Sequence, residues 1–103
     1  MVHKYDFLVI GSGLAGMSFA LKVAHQGKVA LICKAGLEEA NTYYAQGGIA
    51  SVTNLTVDNF DKHIEDTMIA GDYISNPAAV EKVVKGGPAQ IEELIRWGVD
   101  FDK

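Results

Sequence analysis

Apolar residues along this chain fall into a few short patterns. Tyr5 to Ile10 reads Tyr-Asp-Phe-Leu-Val-Ile, and its near-continuous apolar end predicts a buried parallel strand. A glycine-rich turn follows from Gly11 to Gly16. Leu14, Met17, Leu21 and Ala24 then recur at helical spacing, and Gly27 ends that helix. Lys28 to Cys33, Lys-Val-Ala-Leu-Ile-Cys, predicts a second buried strand. Strand, helix and strand fit within about thirty residues, as a right-handed crossover unit requires.

The pattern changes after Cys33. Ala35 to Gly48 is a polar, glycine-rich connection, and Ile49 to Val52 could form a short strand. Asp58 is placed to cap a helix with Phe60, Ile64 and Met68 on its apolar face and Gly71 at its end. Asn76-Pro77 is a cap followed by proline at the first helical position. Val80, Val83 and Val84 form the face of that helix, and Gly86-Gly87 is expected to stop it. Pro88 is expected to start another, with Ile91, Leu94 and Ile95 inward and Gly98 at its end. The fold class is therefore α/β: a partial Rossmann-like unit, β-α-β with a glycine-rich turn, followed by helices.

Composition narrows the function classes. The chain has 103 residues, 49% of them hydrophobic, enough for one small domain with a modest core. Net charge is −4 with no basic run, which argues against nucleic acid as a partner. The single cysteine, Cys33, excludes an intrachain disulfide, fits a reducing compartment and reads as a buried strand residue. The apolar stretch Phe7 to Ile10 is far shorter than an export signal, and no run approaches a transmembrane helix, so a soluble cytoplasmic protein is expected. Two strands do not complete a parallel sheet, whose faces and edges need cover. Either later strands of a longer chain complete it, which is the favoured origin, or the short chain folds poorly alone.

The candidate chemistry begins at Gly11-Ser12-Gly13-Leu14-Ala15-Gly16, which matches G-x-G-x-x-G. Gly11 permits a sharp exit from the strand, Gly13 keeps side chains away from a pyrophosphate, and Gly16 lets the helix pack close to the strands. The helix beginning near Leu14 points free amides and its positive dipole end at the phosphates. A turn of glycines alone is weak, but this one follows a predicted strand, opens a helix and precedes a second strand. Which dinucleotide it holds stays open at this point. An NAD site wants an acid at the end of the second strand, where this chain has Cys33 and Lys34; Glu38 and Glu39 lie beyond. Lys34 could meet a 2′-phosphate, reach the adenosine end of FAD, or simply be solvated.

Asn41-Thr42-Tyr43-Tyr44-Ala45-Gln46-Gly47-Gly48-Ile49-Ala50 resembles the flavin-contacting loop of the superfamily of succinate dehydrogenases, fumarate reductases and L-aspartate oxidases. The resemblance implies FAD, with backbone amides at the paired glycines approaching the flavin edge and Thr42 and Gln46 supplying hydrogen bonds. Respiratory-type members carry a histidine, covalently bonded to FAD, where this chain has Asn41, so a non-covalent flavin is implied. Within the superfamily the chain is similar to L-aspartate oxidases, in this loop, in His63-Ile64-Glu65-Asp66-Thr67 with Ala70-Gly71, in Gly98-Val99-Asp100-Phe101-Asp102, and in Lys34 at the adenosine end of FAD. The resemblance spans essentially the whole chain. It implies that L-aspartate loses a hydride to the flavin and becomes iminoaspartate, with oxygen or fumarate as acceptor, in NAD biosynthesis upstream of quinolinate synthase.

Members of that family run to several hundred residues. Residues 1–103 would then be an incomplete N-terminal FAD-binding domain, without the capping, substrate and C-terminal helical domains. No residue here is assigned to catalysis and no metal site is expected. Arg96, the one arginine, reads as a solvated helix residue, and His3, His25 and His63 as surface or packing residues. The rival readings are a soluble fumarate reductase or succinate dehydrogenase flavoprotein and, of another class, a non-catalytic nucleotide-binding module.

Overall fold

In a computed structural model of the chain, residues 1–45 and 47–102 are described. They divide into two compact units, Met1–Gly47 and Gly48–Lys103.

The first unit is the expected β-α-β motif. Strand β1 (Phe7–Ile10) pairs in parallel with β2 (Val29–Ile32), Phe7 opposite Val29 and Ile10 opposite Ile32. Both strands are shorter than the apolar runs suggested. Helix α1 (Leu14–Val23) crosses between them. Alternation along β1 turns Phe7 and Val9 to the helix: the Phe7 ring meets Phe19 edge-on at 6.4 Å, and Val9 is buried. Leu8 and Ile10 point to the opposite face, 62% and 78% exposed. The Asp6 carboxylate accepts from the Lys28 amide at 2.8 Å, and a side chain at Gly27 would strike it, so Gly27 is needed where the chain enters β2.

The sheet-facing stripe of α1 differs from the expected one. Leu14, Met17 and Leu21 are exposed; Gly16, Ala20 and Val23 carry the inward positions. At Gly16 the helix lies close against the turn and β1, leaving no room for a side chain. Cys33 is half-buried and lies just past β2 rather than inside it, its thiol donating to the Ala35 carbonyl at 2.8 Å.

A four-residue helix, α2 (Asn41–Tyr44), interrupts the connection that the sequence left irregular. It is held by the Tyr43 amide donating to the Ala40 carbonyl at 3.0 Å.

The second unit pairs α3 (Phe60–Ala70) with α4 (Pro77–Arg96). Ile49 to Val52 is not a strand, although Val52 is 2% exposed. The cap of α3 is Asn59, whose side chain accepts from the Lys62 amide at 2.7 Å; Asp58 instead accepts from the Asn59 amide. Phe60, Ile64 and Met68 form the buried side, as expected. At the end of α3 the left-handed position is Asp72, one past Gly71, with Tyr73 following at φ 55°. The amides of Asp72 and Tyr73 close the last carbonyls, Ile69 and Met68, in a Schellman arrangement.

Asn76 caps α4 as predicted, accepting from the Ala78 and Ala79 amides, with Pro77 at the first helical position. The helix does not stop at Gly86-Gly87. It runs through Pro88 to Arg96, so the two expected helices are one. Two physical reasons oppose the stop. Proline disfavours helical backbone at the preceding residue partly through a clash with its Cβ, and Gly87 has none. A Cβ at Gly87 would also lie 2.8 Å from Ser51 Oγ, so Gly87 leaves room for Ser51, whereas a Cβ at Gly86 would meet nothing within 4 Å. Along α4, Val84 is buried and Val80, Ile91 and Leu94 are half-buried; Val83 and Ile95 face outward. Gly98, at φ 100°, ends the helix, and the Gly98 and Val99 amides close the Ile95 and Leu94 carbonyls.

Candidate cofactor site

The site is built on the turn between β1 and α1. Gly11 sits at φ 108°, a left-handed backbone that L side chains resist, and its amide donates to the Ile32 carbonyl at 2.8 Å. The turn is thereby pinned to the end of β2. Ser12 is 5% exposed. Gly16 is required for space: a Cβ there would lie 2.2 Å from the Gly11 carbonyl oxygen and 3.2 Å from Val9 Cγ1. The helix start therefore approaches the turn more closely than any other residue type allows.

Gly13 is the N-cap of α1 and has no side chain to close the free amides of the first turn. One of these, Leu14 N–H, donates to Thr42 Oγ1 at 3.2 Å, across 28 residues of chain. The structure thus joins the two motifs that the sequence singled out separately, the glycine turn and the Asn41 segment. Within that segment Tyr43 and Tyr44 are exposed with their rings edge-to-face at 5.5 Å, and the Tyr44 hydroxyl donates to Glu39 at 3.2 Å. Ala45 is extended, and its amide returns to the Thr42 carbonyl. Gly47 adopts φ 124°, and Gly48 has open space where a side chain would be. Asn41 is the exposed first residue of α2, and Lys34 is exposed just past β2. Gln46 lies outside the described residues.

Ser12, Thr42 and Tyr43 share a cavity of about 320 Å³ with Met17, Leu37, Glu38 and Ala40. Four of these residues were not singled out from the sequence. Glu38 had a signal, as one of the first acids after β2. Met17, Leu37 and Ala40 carried none beyond being apolar. The second unit has its own cavity, about 490 Å³, lined by Ile49, Ser51, Asp58, Lys62, His63 and Asp66 among others. His63 is half-buried there, its carbonyl accepting from the Thr67 hydroxyl at 2.7 Å. His3 and His25 are exposed, and no metal-binding cluster occurs among the described residues. Among those residues no helix is long and apolar enough to cross a membrane.

The arrangement fits a dinucleotide. The close approach at Gly16, the left-handed Gly11 and an α1 N-terminus with no cap from its own turn are what a pyrophosphate needs. The comparisons with known proteins name which one. Residues 6–103 match the family described as FAD binding domain. An L-aspartate oxidase of Acinetobacter baylyi is 43% identical over 99 residues, covering 96% of this chain and 18% of that protein. The chloroplastic L-aspartate oxidase of Arabidopsis thaliana is 48% identical over 98 residues, 95% of this chain and 15% of that one. A chain of the structure described as the Mycobacterium smegmatis Sdh1 complex in the apo form superposes with a TM-score of 0.83 at 33% identity, covering 98% of this chain and 18% of that chain. The chain spans 15% to 19% of the length of the curated relatives it matches. With the glycine turn, the strand–helix–strand frame and the matched residues in agreement, this chain belongs to the FAD binding domain family, and its cofactor is FAD.

Proposed function

We propose that this chain is the cofactor-holding part of an L-aspartate oxidase, oxidising L-aspartate to iminoaspartate with oxygen or fumarate as acceptor. The carrying observation is the 43% to 48% identity to L-aspartate oxidases over nearly all of the chain. Residues 1–103 then belong to an FAD-binding domain that other parts of the enzyme complete. Bound FAD supplies the two-electron redox chemistry. Gly11, Ser12, Gly13, Leu14, Ala15 and Gly16 take its pyrophosphate, and Lys34 meets the adenosine end. Asn41, Thr42, Tyr43, Tyr44, Ala45, Gln46, Gly47 and Gly48 line the flavin. Asn41 cannot make the histidyl–flavin bond, so the cofactor is held non-covalently. Iminoaspartate points to NAD biosynthesis and to quinolinate synthase as the consumer. A cytoplasmic setting suits the bacterial relatives, while plant relatives are described as chloroplastic.

A substrate with two carboxylates calls for cationic clamps, and the one arginine here, Arg96, sits in the last turn of α4. The 103-residue chain alone is therefore inactive in this reading. The test is to express the longest reading frame that carries it and follow the visible flavin absorbance. L-Aspartate should bleach the flavin, and acid precipitation should release FAD into the supernatant. Bleaching of the isolated chain by aspartate would contradict the assignment of catalysis elsewhere. The likeness to the Sdh1 complex favours a succinate dehydrogenase or fumarate reductase flavoprotein as the second reading, for which succinate would bleach the flavin and aspartate would not.

A further inference from the structure

We propose that Thr42 is a positioning residue for FAD: its hydroxyl seats the Asn41 segment on the glycine turn before the cofactor arrives. The inference rests on the reading that this segment lines the flavin while the turn takes the pyrophosphate. Gly13, at the N-cap of α1, offers no side chain to the helix amides. Thr42 supplies the missing cap from a different segment, accepting from Leu14 N–H at 3.2 Å. A Cβ on Gly13 would lie 3.6 Å from Thr42 Oγ1, an ordinary contact, so the seat of the hydroxyl rests on its bond to Leu14 N–H and not on the absence of a side chain at Gly13. The short helix α2 carries Thr42 and, directly after it, Tyr43 and Tyr44. Fixing one hydroxyl therefore fixes the start of the flavin-lining segment relative to the turn.

An N-cap bond of this type normally comes from the residue at the cap itself. Supplied from 28 residues away, it stabilises a tertiary arrangement as well as a helix end. The bond takes one amide of the first turn and leaves those of Ala15 and Gly16 for phosphate oxygens. ADP, which carries the pyrophosphate but no flavin, engages the turn alone. FAD engages the turn and the segment together. Loosening the segment thus weakens FAD and spares ADP, because the ordering that the native chain has already achieved must then accompany binding.

The experiment titrates FAD and ADP separately into the longest reading frame that carries this chain and into its Thr42→Val and Thr42→Ser variants, following the amide resonances of Gly11 to Gly16. Valine keeps the branched shape and removes the acceptor; serine restores it. In Thr42→Val the FAD affinity falls about three- to tenfold, the range of one lost hydrogen bond, while ADP affinity is unchanged. Thr42→Ser returns FAD affinity toward native. Equal weakening of ADP and FAD would show a direct phosphate contact and overturn the proposal, as would no change in either. If neither nucleotide moves the turn resonances of the native chain, the dinucleotide reading of the turn falls, and the proposal with it. Should Thr42→Val lose the native amide spectrum, Thr42→Ala removes the same acceptor and carries the same comparison.

Discussion

At the scale of single residues, the two glycines of the turn act for different reasons. Gly11 is held by its dihedral angle and has nothing within 4 Å of an added Cβ; Gly16 is held by space. Gly16→Ala drives a methyl group into backbone that cannot swing aside. It is expected to cost about 1 to 3 kcal/mol, read by denaturant unfolding, and to abolish the FAD-induced shifts of the turn. A milder effect belongs to Tyr73, whose hydroxyl donates to Glu65 at 2.6 Å. That bond and the carboxylate charge hold the Tyr73 phenol above its ordinary range. Because the folded value is the raised one, the interaction is intact below the ordinary tyrosine range and lost as pH rises through the folded value. Glu65→Gln should lower the phenol back toward ordinary tyrosine, followed by phenolate absorbance during alkaline titration. An unchanged titration would remove Glu65 as the cause.

At the scale of elements, α4 tests how tertiary contact overrides local signals. Gly87→Ala should strengthen the helix by propensity, by about 1 kcal/mol. The Cβ would nevertheless meet Ser51 Oγ at 2.8 Å and reintroduce the clash before Pro88. Net destabilisation is expected in the native chain and a smaller loss in a Ser51→Ala background, where the nearest remaining contact is the residue-51 Cβ at 3.5 Å. Ser51→Ala alone should stabilise by about 1 kcal/mol. Its buried hydroxyl has no hydrogen-bond partner among the described residues, and an unsatisfied buried hydroxyl costs that much or more. Additive effects of the two substitutions would remove the proposed contact. This element also shows why part of the fold could not be read from sequence. Gly-Gly-Pro is a strong local stop, yet α4 runs through it, with Gly87 lying against Ser51, some 36 residues earlier along the chain. Likewise α2 has only four residues and no periodicity to betray it. By contrast β1, α1 and β2, and the Asn76-Pro77 start of α4, carry their own local signals and form where expected.

At the scale of the whole molecule, the glycine turn was legible as a nucleotide feature because its chemistry is carried by backbone and spacing. The Thr42 bond to it was not, since no local pattern marks which hydroxyl will reach a helix 28 residues away. The inward stripe of α1 was misread for a related reason. Large apolar residues at helical spacing suggest a core face, but the helix lies too close to β1 for a side chain at Gly16, and Ala20 and Val23 take the neighbouring inward positions. The outward apolar residues remain, and those on the strands have a practical consequence. Leu8 and Ile10 stand side by side on one open face of a two-stranded sheet. Such a surface takes up hydrophobic dyes and invites one copy to stack on another as concentration rises. Replacing both with threonine should keep strand propensity while lowering dye uptake and light scattering, and leave the Gly11 to Gly16 amide spectrum intact. In a longer chain whose other segments bury that face, the same double replacement should destabilise instead, so the sign of the change reports whether the face is covered.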